Sequence, residues 1–282
     1  MIVEVPTNKK YEESMAKQLN HRPRKRFGQN FLHDRHVIHK IVESINPAPD
    51  DSLVEIGPGQ GAITKDLLQA VGSLDVVELD RDLVGPLAEM CGPLGELRIH
   101  NADILKFDLC QLAAAGRPLR VVGNLPYNIS TPILFHLLEQ ARCIKDMHFM
   151  LQKEVVQRMA ASPGGKTYGR LSVMLQAQCK VTKLFEIPPG AFNPPPKVDS
   201  AFVRLVPFDE PPVQIDDMGL FQQVVTQAFA QRRKTLRNSL GKLLSAEAIE
   251  SAGIDPGLRA ERLDVEAFAR LANVACKMGV GA

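Results

Sequence analysis

The 282-residue sequence has no tryptophan, and aromatic residues make up only 5% of it. With so few rings, an aromatic beside a polar motif stands out as a candidate ligand contact. Long apolar runs are missing too. None approaches the roughly 20 residues that span a bilayer, and the charged stretch from Met1 to Asn20 lacks a signal-peptide core. A cytoplasmic protein with no membrane partner is expected. Cysteine is sparse: Cys91, Cys110, Cys143, Cys179 and Cys276 are scattered, odd in number and without a CxxC pair. They read as reduced thiols of a cytosolic protein, mostly packing, and their spacing excludes a cysteine-based zinc site. The seven histidines show no metal spacing, so no metal is expected.

An excess of one charge is also absent, the formal net charge being only +2. The distribution says more. His21-Arg22-Pro23-Arg24-Lys25-Arg26 packs four permanent positive charges into six residues, and Gln231-Arg232-Arg233-Lys234-Thr235-Leu236-Arg237-Asn238 packs four into eight. Such clusters can neutralise phosphates, although either one alone is as readily a solvated surface. Otherwise the composition, 45% hydrophobic and 23% charged, is that of a soluble globular protein long enough for one large domain and one small one.

Residues 1–20 read as a flexible extension. Asp34 then caps a helix with Val37, Ile38, Ile41, Val42 and Ile45 at helical spacing, which ends before Pro47. Five short apolar strands follow, near residues 53–56, 74–79, 97–100, 119–122 and 147–151, most of them followed by a helix. One of those helices is expected to start at Thr131-Pro132 with proline in its first position. This alternation argues for a parallel sheet covered on both faces. After a helix at 168–180, strands at 181–187 and 198–206 flank a proline-rich connection and suggest an antiparallel edge hairpin. Beyond residue 213 the chain reads as helix, at 217–230, 232–244, 245–252 and 264–277. The expected organisation is an α/β domain over 21–208 and a small all-helical domain over 213–282.

Val54-Glu55-Ile56-Gly57-Pro58-Gly59-Gln60-Gly61-Ala62 closes the first of those strands and opens a helix. Glycines there let the backbone turn tightly and approach a ligand. The stretch fits the dinucleotide pattern, so a nicotinamide enzyme is an open alternative. Glu78 ends the second strand, 21 residues after Gly57, where a carboxylate can accept from both hydroxyls of a ribose. Asp103 follows the third strand and can accept from an adenine amino group. It can equally be a helix cap.

Asn124-Leu125-Pro126-Tyr127 stands at the end of the fourth strand. It resembles the [N/D]-P-P-[Y/F] signature of methyltransferases acting on planar amino groups, in the form typical of ribosomal RNA adenine dimethyltransferases. Gln29-Asn30-Phe31-Leu32, Gln152-Lys153-Glu154-Val155, Tyr168-Gly169-Arg170-Leu171-Ser172, Phe192-Asn193-Pro194-Pro195-Pro196-Lys197-Val198-Asp199-Ser200 and Gln231–Leu240 are similar to that family in order and spacing, over roughly residues 22–270. The resemblance implies a Rossmann-like class I methyltransferase sheet with an antiparallel edge hairpin, and S-adenosyl-L-methionine as cofactor. It places Asn30, Leu32, Gly57, Gly59, Glu78, Asp103 and Asn124 around that cofactor. The implied substrate is small-subunit (16S) ribosomal RNA in an immature small ribosomal subunit, with two neighbouring adenines near the 3′ end each dimethylated. Arg22, Arg24, Lys25, Arg26, Arg232, Arg233, Lys234 and Arg237 are the candidate RNA contacts, and the chain is expected to act as a monomer.

An adenine amino group is a poor nucleophile because its lone pair is delocalised into the ring. Acceptors on its two hydrogens pull the nitrogen toward tetrahedral geometry; the candidates are the Asn124 side-chain oxygen and the Leu125 carbonyl. Pro126 fixes the turn and brings no donor. Direct displacement needs no covalent enzyme intermediate, so positioning and electrostatics carry the rate. Tyr127 offers one stacking face for an extruded base and Phe192, by resemblance, the other. Two more alternatives stand: a non-catalytic RNA-binding assembly or transcription factor on the same scaffold, with an assembly role alongside catalysis left open, and a methyltransferase of large-subunit RNA. The Tyr168–Ser172 and Gln231–Leu240 matches favour the small-subunit enzyme.

Overall fold

The computed structural model describes residues 30–113 and 116–280. Contacts divide the chain into two units, one running to Gln152 and taking in Leu184–Phe202, the other made of Lys153–Lys183 and the residues from Val203 onward. The extension over 1–20 and the basic residues Arg22, Arg24, Lys25 and Arg26 lie outside the described residues.

In the first unit, strand β1 (Phe31–Leu32) leads into helix α1 (Arg35–Ile45), then β2 (Ser52–Ile56), α2 (Thr64–Val71), β3 (Ser73–Glu78), α3 (Arg81–Cys91), β4 (Glu96–Asn101), β5 (Leu119–Asn124), α4 (Ser130–Glu139) and β6 (Ile144–Gln152). Neighbours β4-β3, β3-β2, β2-β5 and β5-β6 all pair in parallel. The chain order reverses between β4-β3-β2 and β5-β6, and such a switch point in an open α/β sheet opens a crevice beyond the carboxyl ends of the strands. Near-continuous apolar sequence in β2, β3 and β5 matches burial on both faces. Gly123 lets β5 lie close to β2, since a Cβ there would come within 2.5 Å of the Ile56 carbonyl oxygen.

The core of this unit gathers Ile38, Ile41 and Ile45 of α1 with Leu53, Leu67, Leu68, Leu74 and Val76. Helix α1 begins where expected, its Asp34 side chain accepting from the His36 and Val37 N–H groups, and it ends on left-handed Asn46 before Pro47. At the far end of the sheet from the switch-point crevice, buried Arg120 donates to Asp146, Asp51 and the Ile45 carbonyl, pinning β5 to β6 and to the end of α1. Helix α4 departs from expectation in one detail. It starts at Ser130, so Pro132 sits third rather than first. No intrahelical bond is lost, because the first four N–H groups of a helix have no partner within it.

Strands β7 (Cys179–Ile187) and β9 (Ser200–Pro207) complete a seven-stranded sheet in the order β4-β3-β2-β5-β6-β9-β7, and β8 (Phe192–Asn193) pairs with β1 instead. The second unit adds α5 (Lys153–Met159), α6 (Arg170–Gln176), α7 (Met218–Phe229), α8 (Leu236–Leu240), α9 (Ala246–Ser251) and α10 (Val265–Lys277). From residue 213 onward regular structure is helical, as expected, but the division by contacts does not fall near residue 208. It assigns α5, α6 and parts of β7 and β9 to the unit of the C-terminal helices. Two helices are shorter than their periodicity suggested. The one expected over 168–180 ends at Gln176, and Cys179 already belongs to β7. The one expected over 232–244 starts only at Leu236, because Thr235 is extended and bridges to Arg259.

The reading of five reduced thiols needs one correction. Cys91, Cys179 and Cys276 are free, but Cys110 and Cys143 are joined, 33 residues apart in sequence with Cα atoms 5.5 Å apart. Sequence spacing hid the pair because the turn after β4 folds back onto the end of α4. No described helix is long and apolar enough to cross a membrane, and the described residues contain no cluster of three or more potential metal ligands.

Candidate active site

The carboxyl ends of β2, β3, β4 and β5 open onto a cavity of about 380 Å³ in the first unit. Asn30, Leu32, Gly57, Gly59, Glu78, Asp103, Asn124, Leu125, Pro126 and Tyr127 all line it. The glycine turn is built for close approach. Gly57, Gly59 and Gly61 have φ of 65°, 58° and 73°, a region that costs any side chain with a Cβ. At Gly59 a Cβ would also crowd the Phe31 ring, at 3.1 Å.

Glu78 is held on both sides. Its Oε2 accepts from the Gly59 N–H at 3.2 Å and its Oε1 from the Asp80 N–H at 2.8 Å. Burial pushes its carboxyl above the usual range, against the pull of those N–H groups. Asp103 is a cap, its Oδ1 accepting from the Leu105 N–H at 3.0 Å at the turn Ile104–Lys106, and it also lines the cavity.

Asn124 carries the most informative bond. Its Nδ2 donates to the Asn30 carbonyl at 3.0 Å. That tether fixes which end of the amide is which and leaves Oδ1 as the acceptor. The next residue's N–H is occupied, donating to the Met150 carbonyl at 3.3 Å, while Pro126 and Tyr127 offer their carbonyls to the first turn of α4. The Tyr127 hydroxyl is bonded to Ser200 Oγ at 2.6 Å, which holds the half-buried ring at the rim, and burial raises its pKa.

Phe192 does not join this group. Its side chain is 2% exposed and belongs to the core cluster, and its backbone pairs with Leu32. A buried core ring has no face for a base, so the stacking role expected of it is not what this geometry provides. Among the cavity residues not assigned from the sequence are Phe31 and Glu55. Phe31 lies against the glycine turn, and its neighbours in the motif were the only signal. Glu55 is 1% exposed with Oε2 unpartnered, and burial, reinforced by the Glu78 carboxylate, pushes its pKa up to about 8. An acid inside an apolar strand was the signal available for it.

In the second unit, Arg232 donates to the Lys166 carbonyl and stands 3.5 Å from Glu261. It lines a second cavity of about 380 Å³ together with Arg158, Lys166, Tyr168 and Arg170, so two separate sequence motifs meet there. Tyr168 is 3% exposed and its hydroxyl has no partner. Arg233, Lys234 and Arg237 are exposed.

Among curated proteins, the chain is 59% identical over 259 residues to ribosomal RNA small subunit methyltransferase A of Pseudomonas aeruginosa, covering 92% of this chain and 97% of that one. The enzyme of the same name from Xanthomonas campestris is 58% identical over 251 residues, covering 89% and 95%. Among solved structures, a dimethyladenosine transferase from Plasmodium falciparum superposes with a TM-score of 0.75 at 24% identity, over 89% of this chain and 98% of that one. The 23S rRNA methyltransferase ErmE does so with a TM-score of 0.68 at 26% identity, over 88% and 100%. Residues 20–277 match the family described as ribosomal RNA adenine dimethylase, and the chain belongs to that family.

Proposed function

We propose that this chain transfers methyl groups from S-adenosyl-L-methionine to the exocyclic amino groups of adenines in small-subunit ribosomal RNA, dimethylating two adjacent adenosines near the 3′ end during subunit biogenesis. It does so in the cytoplasm, as a monomer. The observation that carries this reading is the tethered amide of Asn124 at the rim of the cavity.

The cavity's donor set suits the cofactor. Glu78 can accept from the ribose hydroxyls, Asp103 from the adenine amino group, and the glycine turn leaves room that Cβ atoms would fill. When bound, the cofactor supplies an activated methyl group on a sulfonium. The chain's own residues handle the acceptor. Asn124 Oδ1 and the Leu125 carbonyl take the two amino hydrogens, drawing the lone pair out of the ring. Tyr127, anchored through Ser200, gives the extruded base a face to stack on, worth roughly 1–3 kcal/mol. Transfer makes the nitrogen cationic and acidic, so water suffices to take the proton. A nicotinamide enzyme would leave the Asn124–Tyr127 arrangement without a use.

RNA is held elsewhere, by phosphate contacts that position rather than specify. Within the 231–240 motif, Arg233, Lys234 and Arg237 are exposed and can reach phosphates, whereas Arg232 is engaged within its own unit. The test is single-turnover methylation of unmethylated small ribosomal particles, with RNA affinity measured in parallel. Asn124→Ala should keep RNA affinity and lose about a hundredfold to a thousandfold in rate, the scale for one preorganised polar group acting on developing charge. Tyr127→Ala should lose affinity as well. Near-normal turnover in Asn124→Ala overturns this account of amine activation.

A further inference from the structure

The wall of the cavity beyond β4 is built from a segment with little regular structure. Ala102, Asp103, Ile104 and Leu105 line the cavity, and between Ile104 and Leu112 the chain holds only two short 3-10 turns. Such a stretch depends on outside anchors, and the end of α4 provides them. Gln140 Oε1 accepts from the Leu109 N–H at 2.6 Å, and Gln140 Nε2 donates to the Phe107 carbonyl at 3.2 Å. The third anchor is covalent: Cys110 is joined to Cys143.

We infer that Cys110 and Cys143 form a reversible thiol–disulfide site that fastens this wall, so that its oxidation state controls cofactor affinity and the stability of the fold around Asn124–Tyr127. The cofactor half of this inference rests on the function proposed above. Disulfides in cytosolic proteins are in most cases transient or redox-sensing, which fits a tie beside a binding wall better than a permanent staple. Cys110 is half-buried, while Cys143 is 9% exposed. Burial pushes the Cys91 and Cys179 thiols up to about 11 and about 12, and both are buried, so neither competes. Cys276 is free and half-buried and can also take up a small disulfide, but it has no cysteine partner, so peptide mapping separates its mixed disulfide from the Cys110–Cys143 link.

The oxidant is a low-molecular-weight disulfide. The Cys110 thiolate attacks one of its sulfurs, forming a mixed disulfide and releasing one small thiol. The Cys143 thiolate then attacks the Cys110 sulfur and releases the second. Two protein thiols and one small disulfide become one protein disulfide and two small thiols. Two electrons pass to the reagent, and the two thiol protons end on the released thiols.

The loop so closed contains β5 and Asn124–Tyr127. Closing a loop of this length restricts the unfolded chain, so oxidation should raise the melting temperature by roughly 5–10 °C. A reduced wall that is docked only part of the time lowers affinity by the docked fraction, on the order of threefold to tenfold. The experiment uses the full chain, equilibrated with glutathione disulfide or with dithiothreitol. Non-reducing peptide mapping reads the pair, calorimetry with S-adenosylhomocysteine reads affinity, and thermal melting reads stability. The oxidised protein should show the Cys110–Cys143 peptide, bind more tightly and melt higher. A Cys110→Ser, Cys143→Ser double variant should match the reduced protein under both conditions. An unlinked pair after oxidation, or equal affinity and melting in both states, overturns the inference. If no form binds S-adenosylhomocysteine, the cofactor reading fails instead, and the melting difference alone decides the tie.

Discussion

Glu78→Ala is the substitution whose effect follows most directly from the cavity. The carboxylate is 6% exposed and each oxygen already takes one backbone N–H. A carboxylate has about four lone-pair positions, so two acceptors remain for a ribose. A hydrogen bond to a charged acceptor contributes about 1.5–3 kcal/mol, and an alanine here removes the acceptors while loosening the Gly59 turn that Oε2 holds. Cofactor Kd should therefore rise roughly tenfold to 150-fold. Glu78→Gln separates the two contributions. It keeps the volume, but its amide must set an N–H against one of the two backbone donors, so it should fall between wild type and alanine. Calorimetry with S-adenosylhomocysteine is the direct assay, and nicotinamide adenine dinucleotide should give no heat in any variant. Unchanged affinity in Glu78→Ala would remove this carboxylate from the ribose site and refute the assignment of the cavity's polar end.

Two further outcomes are expected. Burial pushes the Glu55 carboxyl up from an ordinary 4.5 to about 8, so between those values the folded state holds the extra proton and stability falls as pH rises; Glu55→Gln should remove this decline, with the largest gain over wild type above pH 8, and parallel melting curves from pH 5 to 9 would contradict it. Neutralising Arg233, Lys234 and Arg237 together should flatten the salt dependence of RNA binding by roughly 0.7–0.9 in log–log slope per lost phosphate contact, with cofactor affinity unchanged; an unaltered slope would show that this turn faces solvent in the complex.

The parts of the fold legible in the sequence are those where one local rule decides. The short, mostly apolar runs of β2, β3 and β5, bounded by turn signals, read as buried strands, and Asp34 before a helical pattern reads as its cap. The glycine turn was legible because positive φ and close approach both demand glycine. The legible rules stop where distant residues decide. Thr235 opens a late, short helix because it bridges to Arg259, 24 residues on, a partner no window of sequence includes. Cys110 and Cys143 look unrelated until α4 returns the chain to the turn after β4. Phe192 was placed by the motif around it, and the motif is silent about which way a ring points.

That ring's direction changes what the motif is for. Phe192 and Asn193 pair with Leu32 and Phe31, and the His33 N–H donates to the Ala191 carbonyl at 3.0 Å, so the proline-rich connection grips the residues just after Asn30. Asn30 in turn accepts from Asn124, and Phe31 packs on the glycine turn. Where the chain enters β9, Ser200 is hydrogen-bonded to the Tyr127 hydroxyl. One stretch of chain thus reaches the Asn124 amide through β1 and the Tyr127 ring through its hydroxyl, without lining the cavity itself. Phe192, buried in the core cluster, anchors that stretch by packing. The motif thus bears on orientation: through β1 it holds the Asn30 carbonyl that fixes the Asn124 amide, and in the proposed reaction a donor presented there in place of an acceptor would oppose the lone pair that has to be drawn out.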